Sequence, residues 1–367
     1  MKEEKYTCDI CHEEHDVSEL TYFDESYLCE DCLRRETFIC RDCGDRHWND
    51  DSADGDLCQT CYDEDYVRCE RCDAVIHYDD ACYHEDEEYH DHPYCRDCFD
   101  MDEIIHDYYY KPEPIFYGDG PRYLGVELEL DDGGENEFCA SKLLEIANNG
   151  CERMYIKHDG SLDDGFECVT HPMTLDYHIN QMPWRAILNK AVAKGYLSHQ
   201  AGTCGLHVHI SRNALGANYE EQEATIAKIL YFYEKFWNEI LTFSRRTESQ
   251  AEHWARRYGG GIINPKETLK HAKNSHMGRY AAVNLENEAT IEMRIFRGTL
   301  KYNTFIATLQ MVDEICKVAI SLSDEFMQGL TWLDFVKGIA DGKQELINYL
   351  KEKRLYVNEP IRNEVEI

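Results

Sequence analysis

No stretch of 18 or more apolar residues occurs anywhere in the 367-residue sequence, so no membrane-spanning helix is expected. The opening residues, Met1-Lys2-Glu3-Glu4-Lys5, lead into Tyr6-Thr7-Cys8 without an apolar segment. A secretory leader is therefore not expected, and a cytoplasmic location is. Basic charge is scarce: 38 Lys and Arg stand against 72 Asp and Glu, a formal net charge of −34. The imbalance is sharpest in residues 1–100, with 9 basic and 32 acidic side chains. Such a segment repels a phosphate backbone, which disfavours nucleic acid as a partner; basic or neutral proteins fit better. A Gly-x-x-x-x-Gly-Lys phosphate loop is also missing.

What the sequence has instead is cysteine, 18 residues of it. In a reducing compartment that number reads as metal ligands rather than disulfides. Twelve fall into six Cys-x-x-Cys pairs: Cys8/Cys11, Cys29/Cys32, Cys40/Cys43, Cys58/Cys61, Cys69/Cys72 and Cys95/Cys98. Taken two at a time they enclose 17, 14 and 22 residues, with seven residues between successive sets. Leu28, Leu57 and Tyr94 precede the closing pairs, and Leu33, Tyr62 and Phe99 follow them. The repeat predicts three small zinc-ribbon or LIM-like modules over residues 1–105, holding about three structural Zn²⁺ in Cys₄ sites. Segments with so few aliphatic residues would depend on metal for folding energy. A cross-braced pairing of alternate knuckles would use the same cysteines. His15, His47 and His77 fall in phase after the opening pairs, with a structural role favoured because four thiolates already fill each site. Cys82 has no partner pair and reads as a packed free thiol.

Residues 106–121 read as a linker. Tyr108-Tyr109-Tyr110, Pro112, Pro114, Gly118, Gly120 and Pro121 break any helical or strand period. The tyrosines are candidates for docking the array onto the next domain. From residue 122 to 367 the pattern is α+β. Alternation predicts strands over Tyr123–Leu130, Glu167–Thr170, Leu206–Ser211 and Thr290–Phe296. Helical spacing predicts helices over Asn136–Asn149, Asp176–Gly195, Tyr219–Arg245, Asn303–Leu322, Trp332–Ile339 and Gln344–Leu355.

The polar residues of interest sit inside the strand patterns and share one spacing. In Gly125-Val126-Glu127-Leu128-Glu129, the two carboxylates are two residues apart and point to one face. His207 and His209 do the same in Cys204-Gly205-Leu206-His207-Val208-His209-Ile210. Glu292 and Arg294 do so in Ile291-Glu292-Met293-Arg294-Ile295-Phe296. The run from Lys157 to Glu167 delivers one more carboxylate at a strand start. Aliphatic residues fill the alternate positions, so the opposite face belongs against a core. Carboxylates at this density repel one another unless cations sit between them, and oxygen ligands favour Mg²⁺ or Mn²⁺.

This succession, Gly-x-Glu-x-Glu, Gly-Phe-Glu, Cys-Gly-Leu-His-Val-His, Arg279-Tyr280-Ala281-Ala282-Val283-Asn284 and Ile-Glu-Met-Arg-Ile-Phe-Arg-Gly-Thr, resembles the amidoligase family. The resemblance covers roughly residues 122–320 and excludes the cysteine array. It implies the carboxylate–amine ligase superfamily, with a glutamine-synthetase-like antiparallel sheet and flanking helices. It implies ATP as a cofactor and two metal sites. Glu127, His207 and Glu292 would share one ion, and Glu129 and Glu167 the other. Arg294 and Arg279 would face the transferred phosphate, with Arg297 as a third. His209 and Asp159 are candidates for amine contact or proton transfer, and Ser161 and Asn284 for orienting ligands or capping turns. A second carboxylate beside Glu167 has no clear match, and Gly259-Gly260-Gly261 reads as either a ligand-covering loop or a plain flexible one.

The expected activity is ATP-dependent formation of an amide or isopeptide bond through an acyl phosphate. The substrates would be a carboxylate and an amine, with peptides and proteins among the candidates. The acidic array would dock a protein partner. The competing reading is a catalytically inactive ligase fold serving as a zinc-dependent interaction adaptor. A metal-dependent hydrolase using His207 and His209 would leave the Arg294 strand and the Arg279 segment without a task.

Overall fold

The computed structural model describes residues 5–83, 92–99, 104–259, 264–275 and 277–356. The chain divides into two compact units, Met1–Asp102 and Glu103–Ile367. Residues 106–121, read from sequence as a linker, belong to the second of these. Gly260 and Gly261 lie outside the described residues.

The first unit repeats one plan. An antiparallel hairpin carries each opening knuckle: Lys5–Thr7 with Glu14–Asp16, Thr37–Ile39 with Arg46–Trp48, and Tyr66–Arg68 with Val75–His77. Each knuckle closes the same way. The N–H groups of His12, Gly44 and Asp73 donate to the carbonyls of Cys8, Cys40 and Cys69 at 2.9, 3.0 and 2.9 Å. Those three residues all take positive φ, the left-handed conformation a tight turn demands. Each closing pair enters a short helix: Glu30–Glu36, Gln59–Asp65 or Arg96–Phe99. Leu28, Leu57 and Tyr94 are buried against the cysteines, each in a small core of its own.

The second unit is mixed α+β around a seven-stranded sheet. In chain order its strands are β1 (Ile105–His106), β2 (Leu124–Leu130), β3 (Met154–Lys157), β4 (Phe166–Thr170), β5 (Leu206–Ser211), β6 (Val283–Asn284) and β7 (Thr290–Met293). They lie side by side as β1-β3-β4-β2-β5-β7-β6. Every pairing is antiparallel except β1 with β3. Leu124, Val126, Leu128 and Leu130 alternate onto one face, as do Ile156, Phe166, Leu206, Val208, Ile210 and Ile291, and all are buried in one core. The alternation that buries this face leaves the other to polar residues.

Helices α1 (Glu137–Asn148), α2 (Trp184–Ala193), α3 (Tyr219–Lys235), α4 (Trp237–Ser244) and α5 (Tyr302–Ser321) contribute buried residues to the same core. The long helix expected from Asp176 is broken: Leu175–Asn180 ends before Pro183, and α2 starts afresh at Trp184. Proline disfavours helical backbone in the residue before it and cannot donate its own N–H, which accounts for the break. The helix expected over Tyr219–Arg245 also divides, at Phe236. There Phe236 packs on Phe232 and Trp332 with ring centroids 4.9 and 5.5 Å away. The strand beginning at Thr290 stops at Met293, three residues short of the expected end. Among the described residues no helix is long and apolar enough to cross a membrane.

Candidate functional site

The sheet's register decides which polar residues meet. Glu127 pairs with His207 across β2 and β5, Glu129 with Glu167 across β2 and β4, and His209 with Glu292 across β5 and β7. Directly paired residues project to the same face, so these side chains share one surface. His207 Nδ1 lies 3.3 Å from Glu127 Oε2 and 3.6 Å from Glu292 Oε1. The Glu127, His207 and Glu292 ligand atoms all fall within 4.8 Å of one another, a grouping able to hold a metal ion. Arg294 Nη1 donates to Glu292 Oε1 at 2.5 Å, and Asn284 Nδ2 donates to Glu292 Oε2 at 2.9 Å. His209 Nε2 is 3.0 Å from Glu127 Oε1.

The carboxylates are buried: Glu129, Glu167 and Glu292 are 4%, 2% and 3% exposed. Burial opposes ionisation of Glu127, but the His209 charge and the hydrogen bonds of His207 and His209 outweigh it, holding that carboxyl well below the usual range. Burial, reinforced by the charge of Glu127, pushes Glu167 well above it. Burial also raises Glu129. Burial alone would depress His209, and the Glu127 charge reverses that. Like charges crowded in a dry site cannot all ionise, so the face invites cations.

Beside Arg294 on Glu292, a second cation is already built in. Lys157 stands opposite Glu167 in the β3–β4 register, with Nζ 3.1 Å from Oε2. Glu129, which the resemblance pairs with Glu167 on one metal, lies opposite Glu167 in the register, accepts from the Gly205 N–H and faces His207 Nε2 at 3.7 Å. A side chain at Gly205 would overlap the His207 imidazole, so glycine there gives the ring its space. Gly165 has a comparable constraint, since a Cβ would overlap the Leu130 carbonyl.

The polar face floors a cleft of about 1710 Å³. It gathers Glu127, Glu129, Glu167, His207, His209, Glu292, Arg294, Arg279 and Asp159. Arg297 is not among the lining residues; its backbone is bridged to Gly205 and its Nε is buried. Asp159 accepts from the Ser161 N–H at 2.7 Å and from its hydroxyl. Asn284 also lines the cleft, where it holds Glu292.

Several contributors carry no signal in the sequence. Tyr108, Tyr109 and Tyr110, expected to dock the array, line the cleft, and Arg279 donates to the Tyr108 hydroxyl. Asp131, 1% exposed, accepts from the N–H groups of Asp163 and Asp164 and from the Thr203 hydroxyl, tying the 159–164 loop to the start of β5. Lys157 and Arg246 complete the set. Glu-x-Glu and His-x-His announce themselves by spacing, whereas these residues become neighbours only through tertiary packing.

In the first unit the cysteines meet in chain order, as Cys8/Cys11/Cys29/Cys32, Cys40/Cys43/Cys58/Cys61 and Cys69/Cys72/Cys95/Cys98. This is the sequential arrangement, not a cross-brace. Cys11 and Cys29 sulfurs are 3.9 Å apart, and Cys72 and Cys95 sulfurs 3.8 Å. A tetrahedron with metal–sulfur bonds of about 2.3 Å has edges of about 3.8 Å. Burial opposes ionisation of Cys8, but backbone N–H groups of Cys11, Cys29 and Ile10 outweigh it and bring the thiol down to about 6. Cys40 is lowered to about 6 by the same balance. Cys82 takes no part in these three clusters; its backbone pairs with Tyr94.

Comparison with known proteins finds a family match over part of this site. Residues 148–316 match the family described as "Putative amidoligase enzyme". The resemblance to the amidoligases is thereby shown for the stretch carrying Glu167, His207, His209, Arg279, Glu292 and Arg294; Glu127 and Glu129 precede it. A bifunctional glutathione synthetase from Pasteurella multocida is similar over 65% of this chain and 45% of its own, at 13% identity and a TM-score of 0.32. The chain thus spans less than half of that protein's length. No curated protein matches the chain.

Proposed function

We propose that the chain is an ATP-dependent carboxylate–amine ligase with a glutamine-synthetase-like second unit. One observation carries the reading. Three adjacent strands bring Glu127, His207 and Glu292 within 4.8 Å of one another, and Arg294 lies against the same cluster. The amidoligase match over residues 148–316 supports the class.

In this account the γ-phosphoryl group of ATP passes to a carboxylate oxygen of the acid, and ADP leaves with the bridging oxygen. The amine nitrogen then attacks the acyl carbon, the C–O bond to phosphate breaks, and inorganic phosphate departs. Glu127, His207 and Glu292 would hold one Mg²⁺ or Mn²⁺, with Glu129 and Glu167 available to a second. When bound, such an ion would neutralise phosphate charge and polarise the phosphoryl oxygens. Arg294 and Arg279 offer forked donors to the phosphate. His209 and Asp159 would contact the amine, and the Asp159 carboxylate would take its proton. No nucleophilic Ser or Cys is needed, because positioning and electrostatic stabilisation supply the catalysis.

The three Cys₄ clusters would each take one Zn²⁺, and their acidic surface would dock a protein partner or protein substrate. Reduced thiols in this number fit a cytoplasmic location. Purified protein incubated with Mg²⁺, ATP and pools of amino acids, polyamines and peptides should release ADP and phosphate in an amine-dependent way. A Glu127→Gln/Arg294→Ala variant indistinguishable from wild type on every pool would refute the reading. If a chain lacking residues 1–105 kept full activity on the true substrate, the docking role would fall.

A further inference from the structure

Arg246 lines the cleft, yet the reaction as drawn gives it no task. Helix α4 ends at Ser244, and the following Arg245 has a φ of 67°, in the left-handed region that residues with side chains avoid. The next residue is then carried against the end of β7. Arg246 Nε donates to the Ile295 carbonyl at 3.1 Å, and its backbone N–H to Ser244 Oγ at 3.2 Å. The side chain is only 6% exposed, and its Nη1 has no partner among the described residues. Glu129 attracts it, but that carboxylate already accepts from Gly205 and faces His207.

Its other neighbours are cations. Arg294, Arg297 and Arg245 all act on Arg246, and the Nε atoms of all three are buried without partners among the described residues. Burial, against the opposing pull of Glu129 and with these like charges added, brings Arg246 down to about 10. Four guanidiniums converge in a chain that carries 72 acidic residues against 38 basic ones. A buried cation whose one carboxylate neighbour is shared with other donors is costly, and an incoming anion would relieve this one.

We propose that Arg246 and Arg294 form a seat for the phosphate chain of a nucleotide at the Glu129 end of the cleft, with Arg245 and Arg297 reinforcing the positive potential from behind. The anion seat follows from the geometry; that its occupant is a nucleotide rests on the ligase reading. Guanidinium suits this task because its planar fork grips two phosphate oxygens at once.

Isothermal titration of the full chain with inorganic tripolyphosphate and with ATP, each at fixed Mg²⁺, tests the seat. Arg246→Met should weaken both by at least about tenfold, and Arg246→Lys by several-fold because the charge survives without the fork. Ligand-free Arg246→Met should melt no lower than wild type, since a repelled charge has been removed, and its ligand-induced rise in melting temperature should shrink. Wild-type affinity in Arg246→Met for both probes, or a lower melting point with unchanged affinity, would overturn the proposal. If Arg246→Met does not fold, unchanged affinity in Arg246→Lys overturns it equally. Arg246-dependent binding of tripolyphosphate without ATP binding supports the seat and defeats the ligase reading. ATP binding lost in Arg294→Met but retained in Arg246→Met preserves that reading and removes this proposal.

Discussion

Glu127 and His207 stand directly opposite each other on β2 and β5, with Oε2 and Nδ1 3.3 Å apart on the same face of the sheet. The strand register sets their separation, so the pair does not depend on loop conformation. Glu127→Gln and His207→Ala should each weaken Mn²⁺ binding at the cleft by more than about tenfold. Electron paramagnetic resonance titration of free Mn²⁺, with the cysteine clusters already loaded with zinc, measures this. Unchanged affinity in both variants would remove the pair from the metal site.

Gly205 adjoins that imidazole so closely that any Cβ there would strike it. Gly205→Ala should therefore displace the His207 ring and lose Mn²⁺ affinity on the scale of His207→Ala, while circular dichroism shows the fold retained. An alanine variant that binds Mn²⁺ normally would show that His207 adjusts without consequence.

Glu167 gives a pH signature. Its carboxyl is pushed well above the usual range by burial and then by the Glu127 charge. Near pH 4 and below, Glu167 is protonated whether the chain is folded or unfolded and imposes no cost. As pH rises past the ordinary carboxylate value the unfolded chain loses the proton first, so the native state becomes relatively destabilised. Metal-free Glu167→Gln should melt about 2–4 °C above wild type at neutral pH, with the gap closing toward pH 4. A gap that is constant with pH, or reversed, would mean that Lys157 compensates the carboxylate fully.

Metal content separates the cysteines. The full chain should carry three zinc ions by plasma mass spectrometry, and Cys8→Ser or Cys40→Ser should lose about one each. Cys82→Ser should lose none, because Cys82 lies outside the three clusters. Chelation should abolish the folded signature of the first unit, since metal supplies its folding energy. Retention of three zinc ions by Cys40→Ser would contradict the assignment.

Legibility in the sequence depended on locality. Glu127, Glu129, His207, His209, Glu292 and Arg294 were legible because period-2 spacing writes a shared face into a few residues. The Cys₄ clusters were legible for a similar reason, each knuckle being a local unit repeated in order. Ile105–His106 and Val283–Asn284 were missed because two residues hold no period to detect. Lys157 became visible only through its pairing with Glu167, and Arg246 only through the turn at Arg245. Tyr108 sits in a segment whose prolines and glycines read as a connector, and only packing reveals its contact with Arg279. Pro183 marked a helix break that strong helical spacing on both sides obscured.

The most direct test follows an oxygen atom. Acids labelled with ¹⁸O in the carboxylate, supplied with ATP, Mg²⁺ and the amine pool, should pass one label into each inorganic phosphate released, because acyl phosphate formation transfers a carboxylate oxygen to phosphorus. Label appearing in AMP, or amide formed with unlabelled phosphate, would contradict the ligase account.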